Sequence, residues 1–403
     1  MGPIARSTIK TSFVLGLRLV VQAGTLLLVA RMLGPEPFGA FAGIAALAVL
    51  LGALASLGSN LVLLGAMSND PALRDQILPW AIPTTLLSGA ILLTLFLAIC
   101  KTLLGTTGAS LLVLLTIGIT EMWFQPLFSL ATTEQHARGR VAHSQLLQII
   151  PLALRMVLAL TLLLSSPAHP LDSYAMGYGL ASLLPLTVLA HNSSWPGIRQ
   201  WRLPGYAELK NTAGFAALNI TNMGPAELDK TLAARLLPMA EAGVYSAAAR
   251  AIGAVVLPVS AMLLSALPRL FREGSKPQQS KRLAKWIFSA TVLYSLFIAG
   301  LLWLTAPAFN VIFGDKYTGI AETVQLLCLA VPALALRQAA GNVLMAYGKP
   351  WLRAGFELFG ITLLLSLAVA FTSQLGPTGM PLALAGSELA MAAIGWGYVW
   401  YKI

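Results

Sequence analysis

The chain has 403 residues, of which 57% are hydrophobic and 10% are charged, and it carries a formal net charge of +11. Soluble globular domains are far less apolar, so this composition excludes a soluble fold and predicts a polytopic membrane protein. The positive charge is spread over short loops, whereas a nucleic-acid-binding domain concentrates it on one soluble face. A nucleic-acid partner is therefore excluded as well.

Long apolar runs predict the membrane-spanning helices. An α-helix needs about 20 apolar residues to cross the hydrocarbon core of a bilayer. Polar or Gly/Pro breaks divide the sequence into about twelve such runs, so we predict an all-α protein of about twelve transmembrane helices. The predicted spans cover residues 8–32, 38–66, 77–100, 108–131, 141–165, 171–191, 211–237, 242–268, 283–306, 319–347, 351–373 and 378–401.

The distribution of Lys and Arg predicts the orientation of these spans. Cytoplasmic loops of membrane proteins carry an excess of positive charge. If both termini are cytoplasmic, most of the 26 Lys and Arg residues fall in inner segments, and the outer segments hold only Arg31, Lys101, Arg235 and Lys316. We therefore expect both termini on the cytoplasmic side. No small-residue cleavage site follows the first apolar run, so we expect it to be a retained helix.

A short passage of the sequence occurs twice. "ARMLGPEPFGAF" begins at Ala30 and "ARLLPMAEAGVYSA" begins at Ala234, and the two align without a gap. The alignment carries spans 1 and 2 onto spans 7 and 8, so the two halves have the same orientation. Parallel repeats of this kind are typical of transporters that work by alternating access. The alternative is a chance recurrence at two helix ends.

The repeat predicts the domain organisation. Residues 1–191 form an N-terminal six-helix lobe, and residues 211–403 form a C-terminal six-helix lobe. Residues 192–210, which we call the interfacial linker, interleave aromatic with basic side chains. Such a composition is typical of a segment that lies along a membrane surface, so we expect the interfacial linker to lie on the inner leaflet.

Four motifs in matching order carry a resemblance to a known family. They read "LLVARMLGPEPFGAF", "ELDKTLAARLLPMAEAGVYSAAAR" followed by "SALPRLF", "FGDKYTGIAETVQLL" and "NVLMAYGKP". Together they resemble the polysaccharide-biosynthesis (Wzx-type) flippases of the multidrug, oligosaccharidyl-lipid and polysaccharide exporter superfamily. The loops are minimal, and the sequence shows no sign of the two extra helices of the peptidoglycan-precursor flippases, which disfavours that variant.

The resemblance implies a fold and a function. Two six-helix lobes would face each other in a V. The protein would export a polyprenyl-pyrophosphate-linked oligosaccharide, such as an O-antigen, capsule or exopolysaccharide repeat unit, across a bacterial inner membrane. Its expected partners are this lipid-linked substrate, membrane lipids, and the polysaccharide polymerase and chain-length machinery.

Five basic residues fall inside predicted spans. Each costs about 2.5 to 3.5 kcal/mol at a helix centre, so each must face protein, ligand or water. Guanidinium groups bind phosphate oxygens and stay charged when desolvated, which suits a pyrophosphate-linked substrate. The alternative is that each cation pairs with a buried acid to join two helices. The candidate substrate-binding residues, with two polar neighbours, are Arg18, Arg155, Arg250, Arg337, Lys230, Gln22 and Asn222.

Polar side chains at helical spacing predict which helix faces line the pathway. Span 1 carries Arg18, Gln22 and Thr25 on one face, and span 5 carries Gln145 and Gln148 ahead of its own arginine. Span 7 continues the pattern, because the repeat aligns its Asn222 and Asp229 with Arg18 and Thr25. Gly224 and Pro225 predict a break in span 7 beside this polar face.

Three acidic residues inside predicted spans are candidates for ion coupling. A carboxylate in an apolar setting can carry a proton across the membrane, although a structural partner for an arginine is an equal alternative. These acids are Glu121, Asp229 and Glu388. We expect no cofactor, and the residues leave open whether H+, Na+ or downstream polymerisation drives the cycle.

Other function classes fit less well. An ion-coupled multidrug exporter of the same superfamily is the main alternative, but an arginine-rich cavity would repel its usual cationic substrates. A membrane enzyme of polysaccharide assembly would resemble proteins with a long catalytic outer loop, and none is predicted here. Cys100 and Cys328 lack metal-ligand spacing, and no nucleophile elbow occurs. We therefore predict a transporter without catalytic or metal-binding residues.

Overall fold

The computed structural model describes residues 3–105, 108–273, 277–346 and 350–402. Only the backbone is described for residues 3–12, 15, 211, 213, 217–226, 261, 264–273, 277–280, 345, 346, 350–352, 354 and 402. All secondary structure in the described part of the chain is helical, with a π turn at Thr120–Phe124 and 3-10 turns at Pro71–Leu73, Ile198–Gln200 and Gly376–Thr378.

The α-helices follow one another in chain order with short connections. They are α1 (Pro3–Leu33), α2 (Pro35–Ala55), α3 (Ser59–Asn69), α4 (Arg74–Leu103), α5 (Leu111–Ile119), α6 (Gln125–Ala137), α7 (Val141–Ser165), α8 (Pro170–Asn192), α9 (Tyr206–Leu236), α10 (Met239–Glu273), α11 (Pro277–Thr305), α12 (Ala308–Phe313), α13 (Ile320–Cys328), α14 (Ala330–Ala346), α15 (Pro350–Leu375) and α16 (Gly379–Lys402).

The predicted all-α polytopic membrane fold is confirmed. Each of the twelve predicted spans falls on one of these helices or on a consecutive pair, the pairs being α2 with α3, α5 with α6 and α13 with α14. Within the described residues, nine segments are long and apolar enough to cross a membrane, and one of them, Gly355–Tyr401, contains both α15 and α16. The pair α13 and α14, bent by 44°, makes a tenth. The charged helix α9 is not among these segments.

Two of the spans are interrupted at residues that explain the break. Between α2 and α3, Leu57 and Gly58 have φ angles of 47° and 82°, in the left-handed region that favours glycine. A Cβ on Gly58 would come within 2.6 Å of the Phe215 side chain of α9, so only glycine allows this approach. Between α5 and α6, the π turn precedes Pro126, which has no N–H to continue a regular α-helix.

The break predicted at Gly224 and Pro225 is absent, because α9 runs through both residues as one helix. The chain divides into two compact units, Met1–Met223 and Gly224–Ile403, so that their boundary lies within α9. In the first unit α7 packs along α1 and α8, and in the second α16 packs along α14 and α15. The predicted lobe boundaries stay predictions.

The two copies of the repeated passage have matching environments. Each lies at the junction of two helices, α1 with α2 and α9 with α10. Ala30 and its counterpart Ala234 are fully buried, and Leu33 and Leu237 are buried to the same extent. The matching residues are therefore buried to the same extent at the two helix junctions, as a structural repeat requires.

Candidate functional site

The polar stripes predicted on spans 1 and 5 meet between α1 and α7. Arg18 Nη1 donates hydrogen bonds to Gln145 Oε1 at 3.1 Å and to Gln148 Oε1 at 2.9 Å. Two helical turns further along α1, Thr25 donates to the backbone carbonyl of Leu152 at 3.3 Å. The two amides are three residues apart, so they lie on one face of α7 and can share one guanidinium.

Arg18 also lines a small cleft, of about 170 Å³, within the first unit. Most of the polar groups that complete the cleft come from α6. The lining residues are Arg18, Gln125, Phe128, Ser129, Thr132, Gln148, Pro151 and Leu152. Apart from the guanidinium, every polar side chain in this lining is a neutral amide or hydroxyl.

The charge of Arg18 is not neutralised by any acid in the described part of the chain. Its two hydrogen bonds use Nη1 and go to neutral amide oxygens. The guanidinium has five N–H donors in a planar fork that matches phosphate and carboxylate groups. A half-buried arginine beside a polar cleft, with donors to spare, can bind an anion.

A second polar cluster lies deeper in the first unit and is neutral as a whole. Tyr178 donates its hydroxyl hydrogen bond to Glu121 Oε1. Arg155 Nη2 lies 3.9 Å from the same oxygen and donates to Ser182 Oγ at 2.7 Å. The guanidinium carbon of Arg155 lies 3.5 Å from the centroid of the Tyr178 ring, a cation–π arrangement. All four side chains are buried.

The backbone of this cluster depends on a close helix crossing. Glu121 belongs to the π turn Thr120–Phe124. The turn lies against Gly52 of α2, where a Cβ would overlap the carbonyl oxygen of Glu121. A glycine on α2 and a widened helix turn therefore bring a charged residue into the packed interior of the first unit.

In the second unit, Arg337 of α14 joins two other helices. Its Nη1 lies 2.6 Å from Glu357 Oε2 of α15, and its Nε donates to Glu388 Oε2 of α16. Both carboxylates are buried, and Arg353 of α15 is buried one turn before Glu357. One guanidinium thus holds two acids from two helices.

The remaining predicted residues of α9 and α10 also form pairs. Lys230 Nζ lies 2.9 Å from Asp229 Oδ1, and Tyr245 donates to Asp229 Oδ2 at 3.0 Å. Arg250 lies 4.0 Å from Glu227 Oε2, a long ion pair between partly exposed side chains. Asp229 therefore accepts from a cation and from a buried hydroxyl at once.

The predicted site residues fall into two groups. Arg18 has neutral partners, whereas Arg155, Arg250, Arg337 and Lys230 each face an acid, as the alternative interpretation predicts. Gln22 is exposed on α1, and the side chain of Asn222 lies outside the described residues. The roles predicted for all of them stay predictions.

Sequence reasoning missed several members of these clusters. Ser129 and Thr132 of the cleft are short hydroxyl residues, which also occur in ordinary helix packing. Tyr178 and Tyr245 are uncharged aromatic residues, which a search for buried charges does not select, although the repeat aligns Tyr245 with Phe41. Glu357 lies four residues after Arg353, a spacing typical of a simple helix-surface pair, whereas the structure places it 2.6 Å from Arg337 of α14.

Metal-ligating groups are not gathered anywhere in the described residues: no three His, Cys, Asp or Glu side chains lie close enough to hold one ion. The polar centres that do occur combine acids with cations and hydroxyls. A cation without an acidic partner in such a centre can bind an anion, and an acid without a cation can take up a proton.

Solved transporter structures share this fold. An inward-facing multidrug resistance MATE family transporter of the MOP superfamily superimposes with a TM-score of 0.77 at 14% identity, over 94% of each chain. The lipid II flippase MurJ, in an inward closed conformation, gives a TM-score of 0.76 at 14% identity, over 97% of this chain and 87% of that one.

A third similar structure is a MOP superfamily transporter from Pyrococcus furiosus whose binding pocket is described as having reverse polarity. It gives a TM-score of 0.67 at 13% identity, over 98% of this chain and 95% of that one. No protein-family model and no curated protein matches the sequence. At these identities the likeness establishes the fold: the chain is a multi-pass membrane protein with the all-helical fold of the MOP superfamily transporters.

Proposed function

We propose that the protein is a flippase for a polyprenyl-pyrophosphate-linked oligosaccharide, a repeat unit of O-antigen, capsule or exopolysaccharide. It moves this lipid from the inner to the outer leaflet of a bacterial inner membrane by alternating access of its two lobes, with both termini cytoplasmic. The fold shared with the lipid II flippase MurJ supports a lipid-linked substrate. The four sequence motifs support the polysaccharide branch.

The observation that carries the proposal is the environment of Arg18. A pyrophosphate group brings negative charge into the membrane and needs a cation that is not already neutralised. Arg18 meets this need, because its described partners are the neutral amides of Gln145 and Gln148. The amides and hydroxyls of the cleft beside it are suited to hydrogen bonds with a sugar.

The other buried cations have a second role in this proposal. Arg155 is paired with Glu121, and Arg337 is paired with Glu388. In this proposal, protonation of the carboxylate would free the arginine from its partner. We propose these acids, together with Asp229, as the groups through which H+ or Na+ is coupled to transport. The proposed cycle has no cofactor.

An ion-coupled multidrug exporter is the second candidate. The observation that favours it is the fold shared with a MATE family transporter, together with the buried carboxylates of the second unit. A cationic drug would need an acid that faces it, whereas Glu357 and Glu388 are both engaged by Arg337. The geometry therefore supports the flippase better.

Reconstitution in liposomes tests the two candidates together. The substrate is a fluorescent polyprenyl-pyrophosphate oligosaccharide placed in one leaflet, and the readout is its accessibility to a membrane-impermeant quencher on the other side. We expect accessibility to rise with the amount of protein. A parallel set of vesicles measures efflux of a small cationic dye under a proton or sodium gradient.

Variants make this test specific. Arg18→Ala should abolish movement of the lipid, whereas Arg140→Ala, which removes an exposed arginine of the same unit, should leave it unchanged. Dye efflux without movement of the lipid would overturn the flippase proposal in favour of the exporter. Equal lipid movement by Arg18→Ala and the unmodified protein would remove Arg18 from the site.

A further inference from the structure

The interfacial linker, residues 192–210, is docked onto the end of α4. The backbone N–H of Arg202 donates to the carbonyl of Pro79 at 3.0 Å, and its guanidinium donates to the carbonyl of Gln76 at 3.2 Å. Trp195 and Trp201 pack against the apolar cluster that includes Trp80. The linker is therefore a fixed part of the first unit.

The opposite side of the interfacial linker presents large apolar side chains. The side chain of Ile198 is 77% exposed, that of Leu203 68% and that of Tyr206 83%. These residues belong to a segment between membrane helices, so they cannot all be explained as the apolar face of a span. A docked segment whose apolar side chains point away from the protein needs an apolar environment to cover them.

Two basic side chains accompany this apolar surface. Arg199 and Lys210 are exposed, and no acid in the described part of the chain lies within ion-pair distance of either. The third cation, Arg202, is neutralised by Glu208, whose two carboxylate oxygens lie 2.9 and 2.6 Å from its guanidinium nitrogens. The outward surface of the linker is therefore both apolar and positively charged.

The position of the interfacial linker in the chain sets its depth. It begins where the membrane-spanning helix α8 ends and leads into α9. Apolar side chains at the headgroup level insert into the acyl boundary, while Arg and Lys beside them contact lipid phosphates. The apolar side chains alone would bind neutral and anionic lipids equally well. Arg199 and Lys210, which have no acid nearby in the described part of the chain, add a preference for anionic lipids.

We propose that the interfacial linker is a binding surface for the headgroups of anionic phospholipids in the leaflet at this end of the helices. Ile198, Leu203 and Tyr206 enter the acyl boundary, and Arg199 and Lys210 contact the phosphates. The surface is distinct from the Arg18 cleft, and it serves the protein whichever substrate that cleft carries.

Hydrogen–deuterium exchange of the full-length protein in nanodiscs tests this surface. Exchange of peptides that cover residues 193–205 is compared in phosphatidylcholine and in mixtures with phosphatidylglycerol. We expect the anionic lipid to slow exchange by up to about thirtyfold, the factor that two basic residues near an anionic surface supply. Protection by inorganic phosphate alone, in phosphatidylcholine, would overturn the assignment to lipid.

Two double variants distinguish an effect of the linker cations from a general effect of the protein's positive charge. Arg199→Gln with Lys210→Gln should remove the protection by phosphatidylglycerol and leave exchange in phosphatidylcholine unchanged, because neither side chain pairs with an acid among the described residues. Lys281→Gln with Arg282→Gln removes two exposed charges from the second unit and should keep the protection. Equal exchange in both bilayers, or protection that survives in the linker variant, would overturn the proposal.

Discussion

Arg18 on α1 and Gln148 on α7 are joined by a hydrogen bond of 2.9 Å between a charged guanidinium and a neutral amide oxygen. The contact fixes the arginine without cancelling its charge. Among the five cations predicted inside the membrane, the other four face acids. This difference separates Arg18, whose described partners are neutral, from the four cations that are already paired with acids.

The helix crossing beneath Glu121 predicts a steric effect. Gly52→Ala should destabilise the protein by about 1 to 3 kcal/mol, because the added Cβ overlaps the Glu121 carbonyl oxygen and the backbone must shift. Gly65→Ala is the control, since nothing lies within 4 Å of its Cβ position in α3, and it should stabilise by about 0.5 to 1 kcal/mol. Thermal unfolding of the purified variants measures both. A Gly52 variant as stable as the unmodified protein would contradict the crossing.

The ion pairs of the second unit predict a loss of stability. Arg337→Ala leaves Glu357 and Glu388 buried without their shared cation, which should cost about 3 to 5 kcal/mol. Arg250→Ala breaks a 4.0 Å pair between partly exposed side chains and should cost much less. Melting temperatures of both variants in one detergent provide the comparison. Equal melting temperatures would mean that Arg337 does not hold α14 to its neighbours.

The interfacial linker predicts a dependence on pH. The hydrogen bond from Arg202 holds the pKa of Glu208 below its ordinary value of 4.5. Because the folded-state pKa is the lower one, this pair stabilises the docked linker above pH 4.5, and the contribution disappears as the pH falls through the folded-state pKa. Exchange rates of the linker peptides, corrected for their intrinsic dependence on pH, should therefore rise at acid pH. In Glu208→Gln, the linker peptides should exchange fast at every pH. If their exchange still rises at acid pH in this variant, the effect does not come from Glu208.

The proposed coupling residues predict a response to ion gradients. If Glu121 carries a proton, Glu121→Gln should lose the stimulation of transport by a pH gradient, because the amide keeps the shape but cannot titrate. Asp229→Asn and Glu388→Gln test the other two candidates in the same assay, repeated with a sodium gradient. Glu36→Gln, which changes an exposed acid of α2, should respond like the unmodified protein. If transport by all three variants, Glu121→Gln, Asp229→Asn and Glu388→Gln, is stimulated by the gradients as strongly as in the unmodified protein, the coupling proposal is wrong.

The fold could be predicted from the sequence because the membrane imposes a simple rule. An apolar run of about 20 residues must form a helix, whatever its neighbours are. The spacing of Arg18, Gln145 and Gln148 was also informative, since helical periodicity places each on a defined face. Their meeting between α1 and α7 required only that the two polar faces avoid lipid.

The breaks within helices could not be predicted in the same way. Gly224 and Pro225 carry the usual signal for a break, yet α9 is continuous, because a transmembrane helix can tolerate Gly and Pro when neighbouring groups satisfy the backbone. The observed break at Leu57 depends instead on Gly58 and its contact with α9. Contacts between residues far apart in sequence decide such details.

The partners of the buried charges could not be predicted from the sequence either. The pairing of Arg337 with Glu357 and Glu388 depends on which faces of α14, α15 and α16 pack together. These helices are apolar on most of their surface, so the sequence has little periodicity that would indicate which face packs against which neighbour. The presence of cations within the helices was therefore predictable, whereas their burial and their acidic or neutral partners needed the structure.

The most direct measurement is the affinity of the purified protein for a polyprenyl-pyrophosphate oligosaccharide, before and after Arg18→Gln. A charge-assisted hydrogen bond contributes about 1.5 to 3 kcal/mol, so the variant should bind at least about tenfold more weakly. Arg140→Gln should bind like the unmodified protein, and a cooperative thermal transition in each variant shows that it is folded. Equal affinities for the unmodified protein and the Arg18 variant would contradict the claim that Arg18 is the cation that binds the pyrophosphate.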